Sequence, residues 1–256
     1  MSISMEITRL SLSSSRIAKA ERVLILSDLH EQARQEWTTL WLSTEPSLVV
    51  IPGDWLEAHS RRESGHRMAL EAVRTLAEQC PVYYSLGNHE MGTRGNRPPC
   101  DGADDDVPLS ETTQRLCEQM TEQGAVLLHN RCVQHGSLCI GGLTSAGGHR
   151  ISHTILDDMA RAEGFRLLLC HHPEYYPRYV QCCDIDLTVS GHAHGGQWRL
   201  LGQGLYAPGQ GLFPRYTGGF YDDDRLLVSR GLAGRYPVPR IGNRRQSILL
   251  ELLPKS

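Results

Sequence analysis

The chain has 256 residues, of which 40% are hydrophobic and 21% charged, a composition that excludes disorder, collagen-like repeats and coiled coil. Twenty-six Lys+Arg against 29 Asp+Glu leave a net charge of −3, too balanced for a nucleic-acid binder that works through a basic surface. The apolar runs are far shorter than the roughly 20 residues a membrane span needs, and the N-terminus lacks the apolar segment and cleavage site of a secretory signal.

The N-terminus alternates Ile3, Met5 and Ile7 with polar residues, which predicts a strand. Short β-rich runs over 23–26, 48–51, 82–85, 138–140, 167–170 and 187–189 then alternate with helical stretches over 32–43, 63–79, 110–123 and 153–163. That alternation predicts an α/β chain. In the second helix Met68, Ala69, Ala72, Val73 and Leu76 form one apolar stripe, suited to covering a sheet face. After Gly195 the helical signal gives way to Gly, Pro and short strands over 226–229 and 247–252. Segments 92–108 and 202–219 read as surface loops rather than domain linkers, so one domain over 1–256 is expected. The acidic run at Asp101 and Asp104 to Asp106 is read as a solvated loop in preference to a calcium site. The eight cysteines form no CxxC pair; free thiols in a reducing, cytoplasmic compartment are expected.

Chemistry concentrates where strands end. Residues 23–26 lead to Asp28-Leu-His30, whose side chains lie two apart and share a face in extended chain. Residues 48–51 lead to Gly53-Asp54, and 82–85 to Gly87-Asn88-His89-Glu90. Residues 167–170 lead to His171-His172-Pro173, and 187–189 to Gly191-His192-Ala-His194. Any one of these is weak. Together they are informative, because the C-terminal edges of an α/β sheet meet at one crevice. Carboxylate, amide oxygen and imidazole donors suit Mn²⁺, Fe or Zn²⁺ better than a metal that prefers thiolate.

The ordered set Asp28-x-His30, Gly53-Asp54, Gly87-Asn88-His89-Glu90, His171 and Gly191-His192-Ala-His194 resembles the calcineurin-like metallophosphoesterase superfamily. Gly195-Gly-Gln197, Ser229-Arg-Gly-Leu-Ala-Gly234 and Pro239-Arg-Ile-Gly-Asn243 extend the likeness to its bacterial membrane-associated phosphodiesterase branch, without that branch's membrane segment. The resemblance implies a two-sheet β-sandwich flanked by helices and a centre of two divalent ions. Asp28, His30, Asp54 and His194 would hold one; Asp54, Asn88, His171 and His192 the other, with Asp54 bridging. Such a pair lowers the pKa of a shared water from about 15.7 toward 7, giving a hydroxide that attacks phosphorus. His89 corresponds to the histidine that serves the leaving oxygen, and Glu57 stands where many relatives place the Asp that orients it. Arg240 could reach phosphate, although an ordinary structural or surface role is favoured.

These readings together imply a phosphoester hydrolase acting on a small substrate, phosphodiesters favoured. A phosphomonoesterase, a nuclease of the same superfamily and a non-catalytic protein-binding scaffold are the alternatives. Segments 91–108, 144–153 and 202–220 are expected to wall the substrate pocket, with Tyr206, Phe213, Tyr216 and Tyr221 as a candidate aromatic wall. Oligomeric state leaves no mark in the sequence.

Overall fold

The computed structural model describes residues 5–32, 37–60, 62–93, 108–145, 151–233 and 239–255. In chain order it contains β1 (Glu6–Ser14), β2 (Glu21–Ile25), α1 (Trp37–Thr44), β3 (Leu48–Ile51), α2 (Glu63–Ala77), β4 (Val82–Tyr84), α3 (Glu111–Glu122) and β5 (Ala125–Leu127). There follow β6 (Arg131–His135), β7 (Leu138–Leu143), α4 (His153–Arg161), β8 (Phe165–Cys170) and β9 (Leu187–Ser190). The two-residue strands β10 (Arg199–Leu200), β11 (Gln203–Gly204), β12 (Tyr206–Ala207) and β13 (Gly211–Leu212) lead to β14 (Gly219–Tyr221), β15 (Leu226–Val228) and β16 (Gln246–Pro254).

Two six-stranded sheets result, ordered β1-β16-β2-β3-β4-β5 and β14-β15-β9-β8-β7-β6. Strands β2 to β5 run parallel in the first, and β15, β9, β8 and β7 in the second. Their residues alternate between two buried environments, as a strand covered on both faces requires. Val23, Ile25, Leu48 and Val50 meet Leu167, Leu169, Leu187 and Val189 between the sheets. Leu24, Val49 and Ile51 turn outward onto the helical layer of Ala69, Val73, Leu76 and Leu116. On the other side Cys139, Leu168 and Cys170 pack on Ile155, Leu156 and Met159 of α4. The architecture is an α/β two-sheet sandwich flanked by helices. Burying each large aliphatic side chain here contributes about 1.5–3 kcal/mol.

Helix α3 starts at Ser110, whose hydroxyl accepts from the Thr113 N–H at 3.1 Å, a standard N-cap. Arg16, in the β1–β2 connection, bonds Asp184 at 3.2 Å and Asp186 at 3.1 Å before β9 and so ties one sheet to the other. The seven described cysteines are free; Cys100, Ile3 and the acidic run 101–106 lie outside the described residues, as do most of 91–108 and residues 146–150. No described helix is long and apolar enough to cross a membrane.

Candidate metal centre

Five parallel strands deliver their C-terminal loops to one place. Asp28 and His30 follow β2, Asp54 follows β3, and Asn88 and His89 follow β4; His171 follows β8, and His192 and His194 follow β9. The oxygen donors all come from the first sheet, whereas the second contributes imidazoles only. The loops are stitched together by backbone bonds: Asp28 N–H to Gly53 C=O at 3.2 Å, His30 N–H to Asp54 C=O at 3.1 Å and Gly191 N–H to His171 C=O at 3.1 Å.

The backbone at these positions is unusual. Asp28, His30, Asp54, His192 and His194 have φ of 53, 51, 55, 64 and 46°, a region that non-glycine residues seldom occupy. Such strain persists only where the surroundings fix it, and it gathers at functional sites. Close packing does the fixing. A Cβ at Gly87 would collide with the Asp54 carboxylate, and one at Gly191 would lie 2.5 Å from Asp28 Oδ2, so the carboxylates pack directly against bare backbone.

Asp28, His30 and His194 form one cluster of potential ligand atoms within 4.8 Å of one another, and Asp54, His171 and His192 form another. His171 Nε2 is 3.0 Å from Asp54 Oδ2, and His30 Nε2 lies 3.8 Å from the same oxygen; His194 Nε2 is 3.7 Å from Asp28 Oδ1. Three side-chain atoms of these loops, Asp28 Oδ2, His30 Nε2 and Asn88 Oδ1, are buried without a hydrogen-bond partner. A buried polar atom without a partner costs about 1–3 kcal/mol, and here each is a metal-ligating type. The residues therefore fit divalent cations of hard or borderline character.

Electrostatics support the fit. Burial holds His194 down at about 4 and drives His192 well below its ordinary value, the neighbouring His172 adding to the effect, so both imidazoles are neutral and present a lone pair. Burial opposes the charge of Asp54, yet His171 and His89 beside it hold its carboxyl well below the usual range. Asp28 follows the same balance, its buried carboxyl kept low chiefly by His194.

At the rim, Glu57 bridges two histidines: Oε1 meets His30 Nδ1 at 2.7 Å and Oε2 meets His89 Nδ1 at 2.6 Å. Burial opposes ionisation of Glu57, but these two contacts hold it at about 2. An ionised Glu57 accepts only, so both rings keep a proton on Nδ1 and offer Nε2 inward. His89 Nε2 is 3.9 Å from Asp54 Oδ2, and its ring sits edge-on to His30 at 4.4 Å. His172 lies beside the centre, its ring 4.1 Å from His192 and stacked on Tyr175 at 4.6 Å, and with Glu174 and His192 it forms a further group of potential ligand atoms.

Arg240 is buried, and its guanidinium donates to the backbone carbonyls of Arg230 at 2.6 Å, Arg244 at 3.4 Å and Ala233; it knits loops instead of facing phosphate. Burial pushes it down to about 10, still charged near neutrality. The aromatic wall divides, with Tyr216 buried against Tyr221 at 5.1 Å and Tyr206 and Phe213 exposed.

Three acidic residues that the motifs left without a role support the site. Glu90 is buried and accepts four backbone N–H groups, from Asp54 at 2.9 Å, Leu56 at 2.9 Å, Gly87 at 3.0 Å and Trp55. Glu31 accepts the Glu57 N–H at 3.3 Å and meets His66 Nδ1 at 2.7 Å. Glu174 Oε1 lies 3.9 Å from His192 Nε2. His66 was discoverable: it shares the apolar stripe of α2 with Ala69 and Val73, and a polar residue on a buried stripe needs a partner.

Comparison with known proteins agrees with this arrangement. The chain is 25% identical over 88% of its length to the Bacillus subtilis (strain 168) protein described as uncharacterized protein YpbG, 75% of which is covered. It is also 25% identical to a Bos taurus transmembrane protein with metallophosphoesterase domain, over 91% of this chain, which spans about half of that relative (53%). Among solved structures, a dimetal phosphatase from Danio rerio aligns at 13% identity and a TM-score of 0.42, covering 82% of this chain and 87% of that one. A metallophosphoesterase from Sphaerobacter thermophilus aligns at 20% identity and a TM-score of 0.32, over 69% and 61% of the two chains. The model of the calcineurin-like phosphoesterase family matches residues 21–196, the stretch that holds every converging Asp, Asn and His described above, and the chain belongs to that family.

Proposed function

We propose that this chain, as one domain over 1–256, is a cytoplasmic phosphodiesterase that acts on a small phosphoester with two divalent ions, Mn²⁺, Fe or Zn²⁺, Mn²⁺ taken first. One ion is held by Asp28, His30, Asp54 and His194, the other by Asp54, Asn88, His171 and His192, Asp54 serving both. The observation that carries this reading is the set of three buried, unpartnered ligand atoms, Asp28 Oδ2, His30 Nε2 and Asn88 Oδ1. The seven free cysteines support a reducing compartment.

When bound, two such ions neutralise phosphoryl oxygens and make a water acidic enough to attack phosphorus near neutral pH. The chain's own part begins with Glu57, which takes the Nδ1–H of both His30 and His89. Burial opposes charge on His89, yet Asp54 and Glu57 beside it raise it to about 9, so near neutrality the ring also carries a proton on Nε2, which it delivers to the leaving oxygen as the ester bond breaks. Asn88, beside it on the same turn, contributes an oxygen that burial keeps free of water. Glu90 pins the Asp54 loop to the Gly87 turn, so that donors from β3 and β4 keep their spacing during turnover.

Preference for diesters follows from charge. A phosphomonoester carries close to two negative charges at pH 7, whereas a diester carries one. The extra cation that the motifs offered, Arg240, is committed to backbone carbonyls, which leaves the two ions to balance the substrate. The test compares kcat/KM for bis-nitrophenyl phosphate and mono-nitrophenyl phosphate with Mn²⁺, Fe²⁺, Zn²⁺ and Mg²⁺ in turn. The diester should be preferred. Monoester preference would overturn the bond type, and no turnover with any metal would overturn the hydrolase.

A further inference from the structure

The two ring nitrogens of His192 face different groups. Nδ1 lies 3.2 Å from His171 Nε2, on the Asp54 side of the centre, and Nε2 lies 3.9 Å from Glu174 Oε1. A histidine set between two donor groups can serve both, because its nitrogens point apart. The outer group is completed by His172, whose Nδ1 is 3.3 Å from the same Glu174 oxygen and whose ring centroid is 4.1 Å from that of His192.

The local sequence builds this outer group. Pro173 has no backbone N–H to satisfy and its φ is fixed at about −65°, so it opens a single 3₁₀ turn over Pro173–Tyr175, closed by the Tyr175 N–H on His172 C=O at 3.1 Å. The turn carries Glu174 back to His172, and Tyr175 stacks on the His172 ring at 4.6 Å. His172, Glu174 and His192 thereby offer three ligand atoms within 4.8 Å of one another, both histidines being buried.

Distances decide between hydrogen bonding and coordination. An N–H···O hydrogen bond spans about 2.7–3.2 Å, and both Glu174 contacts are longer. Two donor atoms that each stand about 2.0–2.2 Å from one ion, at tetrahedral angles, lie roughly 3.3–3.6 Å apart. The outer group, at 3.3 and 3.9 Å, is spaced like the donors of the centre, where His194 and Asp28 are 3.7 Å apart and His30 and Asp54 3.8 Å. Independently, Glu174 Oε2 is buried without a hydrogen-bond partner, which is unfavourable for a carboxylate unless a cation meets it.

We propose that His172 Nδ1, Glu174 and His192 Nε2 form an accessory site for a third divalent ion, zinc by preference, beside the pair held at the centre. Two imidazoles and one carboxylate are a set that zinc takes, with water completing the tetrahedron. The site rests on the two-ion reading in that His192 is shared. When the centre is loaded, the third ion bonds at His192 Nε2, the N–H bond there breaks and the proton leaves to solvent. A ring that already serves one ion is a poorer donor to a second, so the third ion should bind more weakly than the first two.

The test is dialysis of the full chain against graded free Zn²⁺, with ion content read by elemental analysis. Content should reach a plateau near two ions per chain and then rise to three at higher free zinc. His172→Phe, which keeps a ring against Tyr175, should weaken the third ion at least about tenfold and retain the plateau at two. Glu174→Gln, which keeps the shape of its side chain, should weaken the third ion as well. A native chain that saturates at two ions would overturn the accessory site and leave the centre standing, whereas saturation below two would overturn both. A third ion that both variants retain would sit elsewhere, on a cysteine or another histidine, and would equally overturn the assignment.

Discussion

The His192 N–H donates to Asp28 Oδ1 at 2.9 Å, joining the end of β9 in one sheet to the end of β2 in the other and leaving Asp28 Oδ2 buried without a partner. One carboxylate thus holds the loop and offers a ligand. Asp28→Asn should keep the backbone contact and lose the anionic donor. Bound metal, read by elemental analysis after dialysis, should fall, and kcat with it by at least the 10–100-fold typical of groups that support a metal site. Full metal content and unchanged kcat in this variant would contradict the ligand role.

His89 is half exposed at the rim, tied to Glu57 by Nδ1 and with Nε2 3.9 Å from Asp54 Oδ2. His89→Ala should retain its metals yet lose about 10²-fold on a diester with an alkyl leaving group, the usual scale of general-acid help. A nitrophenolate, which departs without a proton, should be affected much less. Equal losses on both substrates would remove His89 from the leaving-group role.

Glu90 gathers four backbone N–H groups within the protein, and Glu90→Ala would leave them buried and unpaired. The expected cost is at least about 3 kcal/mol, a fall in Tm of roughly 6–12 °C for a chain of this size. Calorimetry on the metal-free protein separates this structural loss from any change in ion binding.

Arg16 offers a pH-dependent test away from the centre. Its hydrogen bond holds the Asp184 carboxyl below the ordinary carboxylate range, so the contribution is complete above the unfolded value near pH 4 and fades as pH falls through the lower folded value. The pair is largely exposed, which limits it to about 1 kcal/mol or less. Arg16→Met should therefore lower stability slightly at pH 7, and the gap between variant and native chain should narrow as pH falls below the ordinary carboxylate value near 4 in urea unfolding. A gap that persists at low pH would place the effect in packing rather than charge.

Much of the fold was legible because its strands are short, apolar and followed by chemically distinctive residues. Runs at 48–51 and 187–189 became β3 and β9, and the stripe of Ala69, Val73 and Leu76 faces the sheet. Strands β5 and β6 left little trace, since Arg131 to His135 is polar and half exposed at the edge of its sheet, where pairing decides conformation more than composition does. Within the site, positions that ligate carry a residue-type signature at fixed spacing. Glu90, Glu31 and Glu174 act through backbone N–H groups or a neighbouring ring, and such contacts depend on where three or four loops cross, which no local spacing encodes. Arg240 shows the converse: its motif suggested phosphate, and only the crossing of its loop with 230–233 shows that carbonyls take up its fork.

The division of donors between the sheets has a thermodynamic consequence. Carboxylates and the amide arrive on one half of the sandwich and three imidazoles on the other, so neither half alone offers a complete chelate. Ions that recognise only the assembled pair stabilise the folded chain by mass action, an amount growing as RT ln(1 + [M]/Kd). The melting temperature should climb with the logarithm of free metal concentration, and a strong chelator should reveal how much of the cohesion between the sheets is coordination rather than the leucine-rich seam.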